Sequence, residues 1–113
     1  MTEVLKIDYV EFTSLDFEEE MTFFTDAFGW GGESYGENYM ALDKTGLDGG
    51  LERATQTAPL IVLYSQDLEV AMDQVVEAGG EVTCDIFEFP GGRRFEFVTP
   101  GGTAMAVWTK DGD

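Results

Sequence analysis

The sequence predicts an α+β domain made of two copies of one β-α-β-β-β unit. Three observations lead there. The chain repeats itself at an offset of 51, with "DFEEEMTFFTDAFGW" from Asp16 set against "DLEVAMDQVVEAGGE" from Asp67. The apolar positions of each copy step as one helix face. Short alternating or wholly apolar runs surround both helices, separated by glycine-rich turns. With 113 residues, 43% of them hydrophobic, the chain is long enough for one core. One domain over 1–113 is expected, with module one about 4–55 and module two about 58–110.

The elements follow in order. "LKIDYVEF" (5–12) alternates and reads as a strand. Phe17, Met21, Phe24 and Phe28 then step by 4, 3 and 4, so all four are expected in the core. Asp16 is placed to cap this helix, Glu19 to complete a capping box, and Gly29 to end it. Strands are expected at 37–43 and 50–54, with a turn at Asp48-Gly49-Gly50. "PLIVLYS" (59–65) opens the second copy, where Leu68, Met72 and Val75 repeat the helical step between Asp67 and Gly79-Gly80. Strands at 81–87, 93–99 and 103–109 close it, parted by turns at Pro90-Gly91-Gly92 and Pro100-Gly101-Gly102.

Charge narrows the function classes. Twenty-three acidic and 6 basic residues leave a net charge of −17, and only Arg93 and Arg94 are adjacent cations. A nucleic-acid partner and an anionic membrane surface are both disfavoured, since each needs clustered Lys and Arg. The acidity fits either a solvated surface suited to high salt or a field that attracts a cationic ligand. No apolar run approaches 18 residues and no basic, apolar leader pattern is present, so a cytoplasmic protein is expected. Cys84 is the only cysteine, which excludes an internal disulfide. With no histidine, Ser–His and Cys–His nucleophilic catalysis are excluded. "DKTGLDGG" lacks the spacing and closing Glu of a calcium loop, and "PGGRRFEF" lacks the strand–loop–helix setting of a phosphate loop.

Three segments carry a resemblance. "FFTDAFGW", "SQDLEVAMDQVVEAGGEV" and "RRFEFVTPGGTAMAVW", in that order and spacing, are similar to motifs of the vicinal oxygen chelate superfamily. That superfamily includes glyoxalase I, bleomycin resistance proteins and extradiol dioxygenases. The resemblance spans nearly the whole chain. It implies two βαβββ modules forming a curled mixed β-sheet, a ligand cleft on the concave face and a helix on the convex face of each half. It also implies a homodimer. Enzymes of this kind hold a divalent metal through His or Glu on the first and last strands of each module. Carried over, those positions fall on Tyr9, Leu60, Ala106 and a residue at or near Glu52. Leu and Ala offer no donor atom, so no metal and no cofactor are expected.

What the resemblance leaves is a pocket. If Tyr9 and Leu60 face the cleft, strand alternation brings Glu11, Val62, Tyr64, Ala104, Ala106 and Trp108 to the same side. These residues form a ligand wall or simply fill the sheet's concave side. Glu11 is either a counter-charge for a cationic ligand or a rim carboxylate in water. Trp30, Glu52 and Arg94 are further candidates, Trp30 for the cleft mouth or a subunit contact. The expected function is metal-free binding of an unknown small molecule. The alternative is a divergent lyase, isomerase or dioxygenase-like enzyme working through Glu11, Glu52 or Tyr9. A net charge of −17 on a chain this small also carries a prediction. Screening of self-repulsion should raise the melting temperature markedly between low and molar salt. A flat melting temperature across that range would mean that the acidic residues are compensated locally.

Overall fold

A computed structural model describes residues 3–55 and 58–112. Its elements are β1 (Lys6–Ser14), α1 (Phe17–Phe28), β2 (Gly31–Ser34), β3 (Tyr39–Asp43), β4 (Asp48–Arg53), β5 (Leu60–Tyr64), α2 (Leu68–Glu77), β6 (Glu81–Phe89), β7 (Gly92–Val98) and β8 (Ala104–Lys110). The α+β class and the twin βαβββ order are those expected. Contacts divide the chain into two compact units, one over Tyr9–Leu60 and one combining the residues before Tyr9 with those after Leu60. No helix among the described residues is long and apolar enough to cross a membrane.

In the Tyr9–Leu60 unit the strands run in the order β2-β3-β4-β1. β1 pairs parallel with β4, while β2–β3 and β3–β4 are antiparallel. α1 lays Phe17 and Phe24 against Leu42 and Leu51, with Phe12, Met21, Met40 and Trp30 packed around them. The other unit repeats the plan with the order β5-β8-β7-β6, β5 and β8 being parallel. There α2 lays Leu68 and Ala71 against Phe95, Phe97 and Val107. Phe95 and Leu68 are fully buried. Truncating a buried Phe to Ala costs about 3–5 kcal/mol, so this cluster alone carries a large share of a small domain's stability.

The caps show how faithful the repeat is. Asp16 Oδ1 accepts the Glu19 N–H at 3.0 Å, and Asp67 Oδ1 accepts the Val70 N–H at 3.1 Å. The expected capping box does not close through Glu19. The Asp16 N–H instead donates to Ser14 Oγ at 3.1 Å, and in the second copy the Asp67 N–H donates to Ser65 Oγ at the same distance. Ser14 and Ser65 are both buried and lie 51 residues apart. The repeat thus begins two residues earlier than the aspartates. Gly29, at φ +75°, ends α1 in the left-handed conformation that a Cβ disfavours. Gly79, at φ +105°, follows α2 in the same region.

Several expectations need correction. Phe28 is not core: it is 55% exposed, because Gly29 ends the helix before the last turn can tuck its ring under the sheet. Of the three strands the β-α-β-β-β order requires after α1, the sequence places only two, and β2 over Gly31–Ser34 is the third. It is four residues long, begins with two glycines and shows no apolar alternation. The Asp48-Gly49-Gly50 segment is not a turn but the start of β4. Its glycines serve close approach, since a Cβ on Gly49 would stand 2.9 Å from the Val10 carbonyl oxygen. From β7, Arg93 bonds Glu69 on α2 at 2.9 Å and holds that exposed carboxyl below its ordinary pKa. The stability it adds is present above the unfolded-state pKa and is lost as pH falls through the lowered folded value.

One prediction separates the glycines by cause. A Cβ on Gly92 would run into the Thr109 carbonyl oxygen, and backbone cannot swing away. Around Gly101 the nearest atom stands at 4.0 Å and φ is not positive. Gly92→Ala is expected to lower stability by about 1–3 kcal/mol. Gly101→Ala should stay within about 0.5 kcal/mol of wild type. Urea denaturation of the two variants checks the difference, and equal midpoints would contradict it.

Candidate functional site

Strand register decides what each sheet presents opposite its helix. In the second unit, Tyr64 pairs with Trp108, Trp108 with Arg94, and Arg94 with Phe87. The neighbouring row runs Val62, Ala106, Glu96, Cys84. These residues alternate with Leu63, Met105, Val107, Phe95 and Phe97, which pack with α2. They therefore stand on the helix-free face. Val62, Tyr64, Ala106 and Trp108 come together there as the alternation predicts.

That face is aromatic at one end. The Tyr64 ring meets Trp108 edge-on at 5.2 Å, and Phe89 lies 6.3 Å from Trp108 on another side. Phe87 adjoins Phe89 at 6.4 Å. The Trp108 Nε1–H donates to Asp8 Oδ2 at 2.8 Å, which fixes the indole and places a carboxylate at its edge. Arg94 Cζ lies 5.4 Å from the Phe87 ring centroid, and its Nη2 donates to Glu96 Oε2 at 2.8 Å. The pair is mostly buried, with side-chain exposures of 19% and 32%. At the other end the face is filled: Val62 and Ala106 are buried, and the small side chain at 106 leaves no open space. Ala104 is exposed at the strand's start.

The Tyr9–Leu60 unit presents a more polar face. Tyr9, Glu11 and Thr13 alternate with Phe12, which packs toward α1. The Tyr9 and Tyr39 hydroxyls hydrogen-bond to each other, and both hang over Gly50. Glu11 is half-buried and is the register partner of Gly50, the residue over which the hydroxyl pair hangs. Glu52 pairs in register with both Thr13 and Tyr39 and is exposed. Leu60 is half-buried at the start of β5.

Trp30 lies elsewhere. Its ring sits 4.9 Å from Phe24, 5.0 Å from Phe28 and 6.3 Å from Phe12, inside the α1 cluster. Thr25 Oγ1 also donates to its carbonyl at 2.9 Å. Its local role is packing at the end of α1. Sequence reasoning left Asp8, Tyr39, Phe87, Phe89 and Glu96 unassigned. Alternation from Arg94 reaches Glu96, and alternation along "ENYMALD" reaches Tyr39. Phe87 and Phe89 were out of reach, because β6 shifts register between Val82 and Cys84 and again between Cys84 and Phe87.

The metal positions that the resemblance implies do not fit a metal. Of Tyr9, Leu60, Ala106 and Glu52, two are hydrocarbon side chains, and Ala106 is fully buried. Among the described residues no group of three His, Cys, Asp or Glu is placed to hold an ion.

No family model and no curated protein matches the chain by sequence. Solved structures do match in shape. The Mn(II)-bound glyoxalase from Novosphingobium aromaticivorans superposes with a TM-score of 0.71 at 22% identity over 94% of this chain. This chain spans 40% of that protein's length. A methylmalonyl-CoA epimerase of Streptomyces coelicolor, in complex with 2-nitronate-propionyl-CoA, gives a TM-score of 0.73 at 14% identity, covering 96% of this chain and 99% of its own. A glyoxalase/bleomycin resistance protein/dioxygenase superfamily member from Vibrio splendidus gives 0.68 at 18% identity, covering 95% and 100%. The fold is that of the vicinal oxygen chelate superfamily, as the sequence motifs imply.

The tyrosine pair generates a prediction. A Cβ on Gly50 would overlap both hydroxyls, so Gly50→Ala must displace Tyr39, Tyr9 or both. A loss of about 1–3 kcal/mol is expected in urea denaturation. Combined with Tyr39→Leu the two changes should be non-additive, with a coupling of at least about 0.5 kcal/mol. Strict additivity would mean that Gly50 is not reserved for the tyrosine rings.

Proposed function

We propose that this protein binds a small organic molecule against the helix-free surface of its sheets, in the manner of the glyoxalase/bleomycin-resistance type, and that it does so without a metal. One observation carries the reading: Tyr64 and Phe89 gather around the fixed Trp108 indole, with Asp8, Arg94 and Glu96 alongside. Apolar and aromatic walls with a few positioned polar groups are the usual chemistry of small-molecule sites. Val62 and Ala106 form the filled floor beside them. Within the Tyr9–Leu60 unit, Tyr9, Glu11 and Leu60 are candidates on that unit's own helix-free face. Glu52 is a further candidate in that unit, exposed on β4. The cytoplasmic setting and the homodimer belong to the same proposal.

A second reading has its own observation. The Tyr9–Tyr39 hydroxyl pair hangs over Gly50, whose register partner on β1 is Glu11, so a proton donor and a carboxylate share one short stretch of the sheet. A divergent lyase or isomerase needs such a donor and base. The Mn(II)-bound glyoxalase and the epimerase show that enzymes use this fold.

The test is a thermal-shift screen of small molecules at low and high salt, with elemental analysis alongside. A ligand at 100 times its dissociation constant adds about 2.7 kcal/mol of apparent stability, which such a screen resolves. The metal content is expected to fall far below one equivalent of Zn, Ni, Fe or Mn. Trp108→Leu should abolish the shift given by the best ligand, and undiminished binding would remove the aromatic wall from the site. Glu11→Gln should weaken a cationic or hydrogen-bond-donating ligand by about 10- to 150-fold, the worth of one charge-assisted bond. Equal affinities would make Glu11 structural.

A further inference from the structure

We propose that Asp8 and the rings of Trp108, Tyr64 and Phe89 select an organic cation bearing a methylated ammonium group; this rests on the small-molecule reading above and names its ligand class. The charges on the helix-free face are not equivalent. Arg94 is held by Glu96 at 2.8 Å, so that cation is answered within its own row. Asp8 receives only the neutral indole N–H at 2.8 Å, and among the described residues no Lys or Arg forms an ion pair with it. Its carboxylate is half-buried, so it keeps more of its field than an exposed one. It lies at the edge of the indole, whose face attracts cations more strongly than any other side-chain ring. Tyr64 stands edge-on to that indole at 5.2 Å, and Phe89 is tilted toward it by 40° at 6.3 Å. A cluster of rings with one carboxylate at the edge of its central indole suits a charge spread over methyl groups. Such a cation loses little hydration on entering and needs no hydrogen-bond acceptor. A compact ammonium or a metal ion would need more oxygen ligands than Asp8 supplies. The net charge of −17 raises the local concentration of any cation without selecting among them. Selection therefore falls to the rings and Asp8.

The experiment uses choline and its uncharged isostere 3,3-dimethyl-1-butanol, titrated calorimetrically at low salt into the full chain. Choline is expected to bind at least about tenfold more tightly, the worth of a cation–π contact with a nearby carboxylate. Asn at position 8 keeps an oxygen that accepts the Trp108 N–H, so Asp8→Asn preserves the packing and removes only the charge. It should cost choline about tenfold in affinity and leave the neutral isostere unchanged. Asp26→Asn, which removes an exposed charge on α1, is the control for the general field and should leave choline binding nearly unaltered. Equal affinities for the two probes, or equal losses from Asp8→Asn and Asp26→Asn, would overturn the proposal. Should the thermal-shift screen yield neutral ligands that depend on Trp108 while choline fails these tests, the cation assignment falls and the small-molecule reading stands. If no compound depends on Trp108, both fall.

Discussion

The parallel pairing of the first and last strand in each module is the constraint on which the rest depends. β1 lies beside β4, and β5 beside β8, each pair separated in sequence by a helix and two strands. Parallel neighbours need a crossover, and the helix that makes it must cover one face of the sheet. Burying Phe17 and Phe24 in one module, and Leu68 and Ala71 in the other, fixes which face that is. Side-chain alternation then delivers every second residue to the opposite face. Tyr64 and Trp108 are brought side by side by this register and by no local preference of their own.

The same constraint explains the small residues. Where backbone or a bulky ring must come close, glycine is the only residue that fits. Gly50 lies under two tyrosine rings, and Gly92 against the Thr109 carbonyl. The buried serines at 14 and 65 are a parallel case. Each turns the strand end into the helix by holding the N–H of the capping aspartate. Two modules with little residue identity thus share their geometry through a few positions whose bonding is dictated by the turn.

The repeat, both helices and seven of the eight strands were legible in the sequence because they rest on periodicity and capping chemistry. β2 was not, since Gly31–Ser34 carries no apolar alternation and forms only because β3 offers it a ladder. The glycines at 49 and 50 read as a turn because local sequence cannot distinguish flexibility from the need for close approach. Phe28 shows the limit of helical spacing: the step of four is kept, but a helix end decides how far the ring can tuck in. On the helix-free face, the placement of Val62, Tyr64, Ala106 and Trp108 followed from alternation on regular strands. Asp8 did not, because its contact spans 100 residues. Phe87 and Phe89 sit beyond the register shifts of β6, which nothing in their own sequence announces.

Electrostatics and packing divide the two tryptophans by role, Trp30 inside the α1 cluster and Trp108 on the helix-free face with its N–H on Asp8. Their indole N–H groups give two distinct signals in a nitrogen–proton correlation spectrum, and each reports one face. The most direct measurement is that spectrum recorded as a ligand identified by screening is added. The Trp108 signal is expected to move with saturation while the Trp30 signal stays in place. A ligand that shifts Trp30 and leaves Trp108 unmoved would contradict the assignment of the binding surface to the helix-free side.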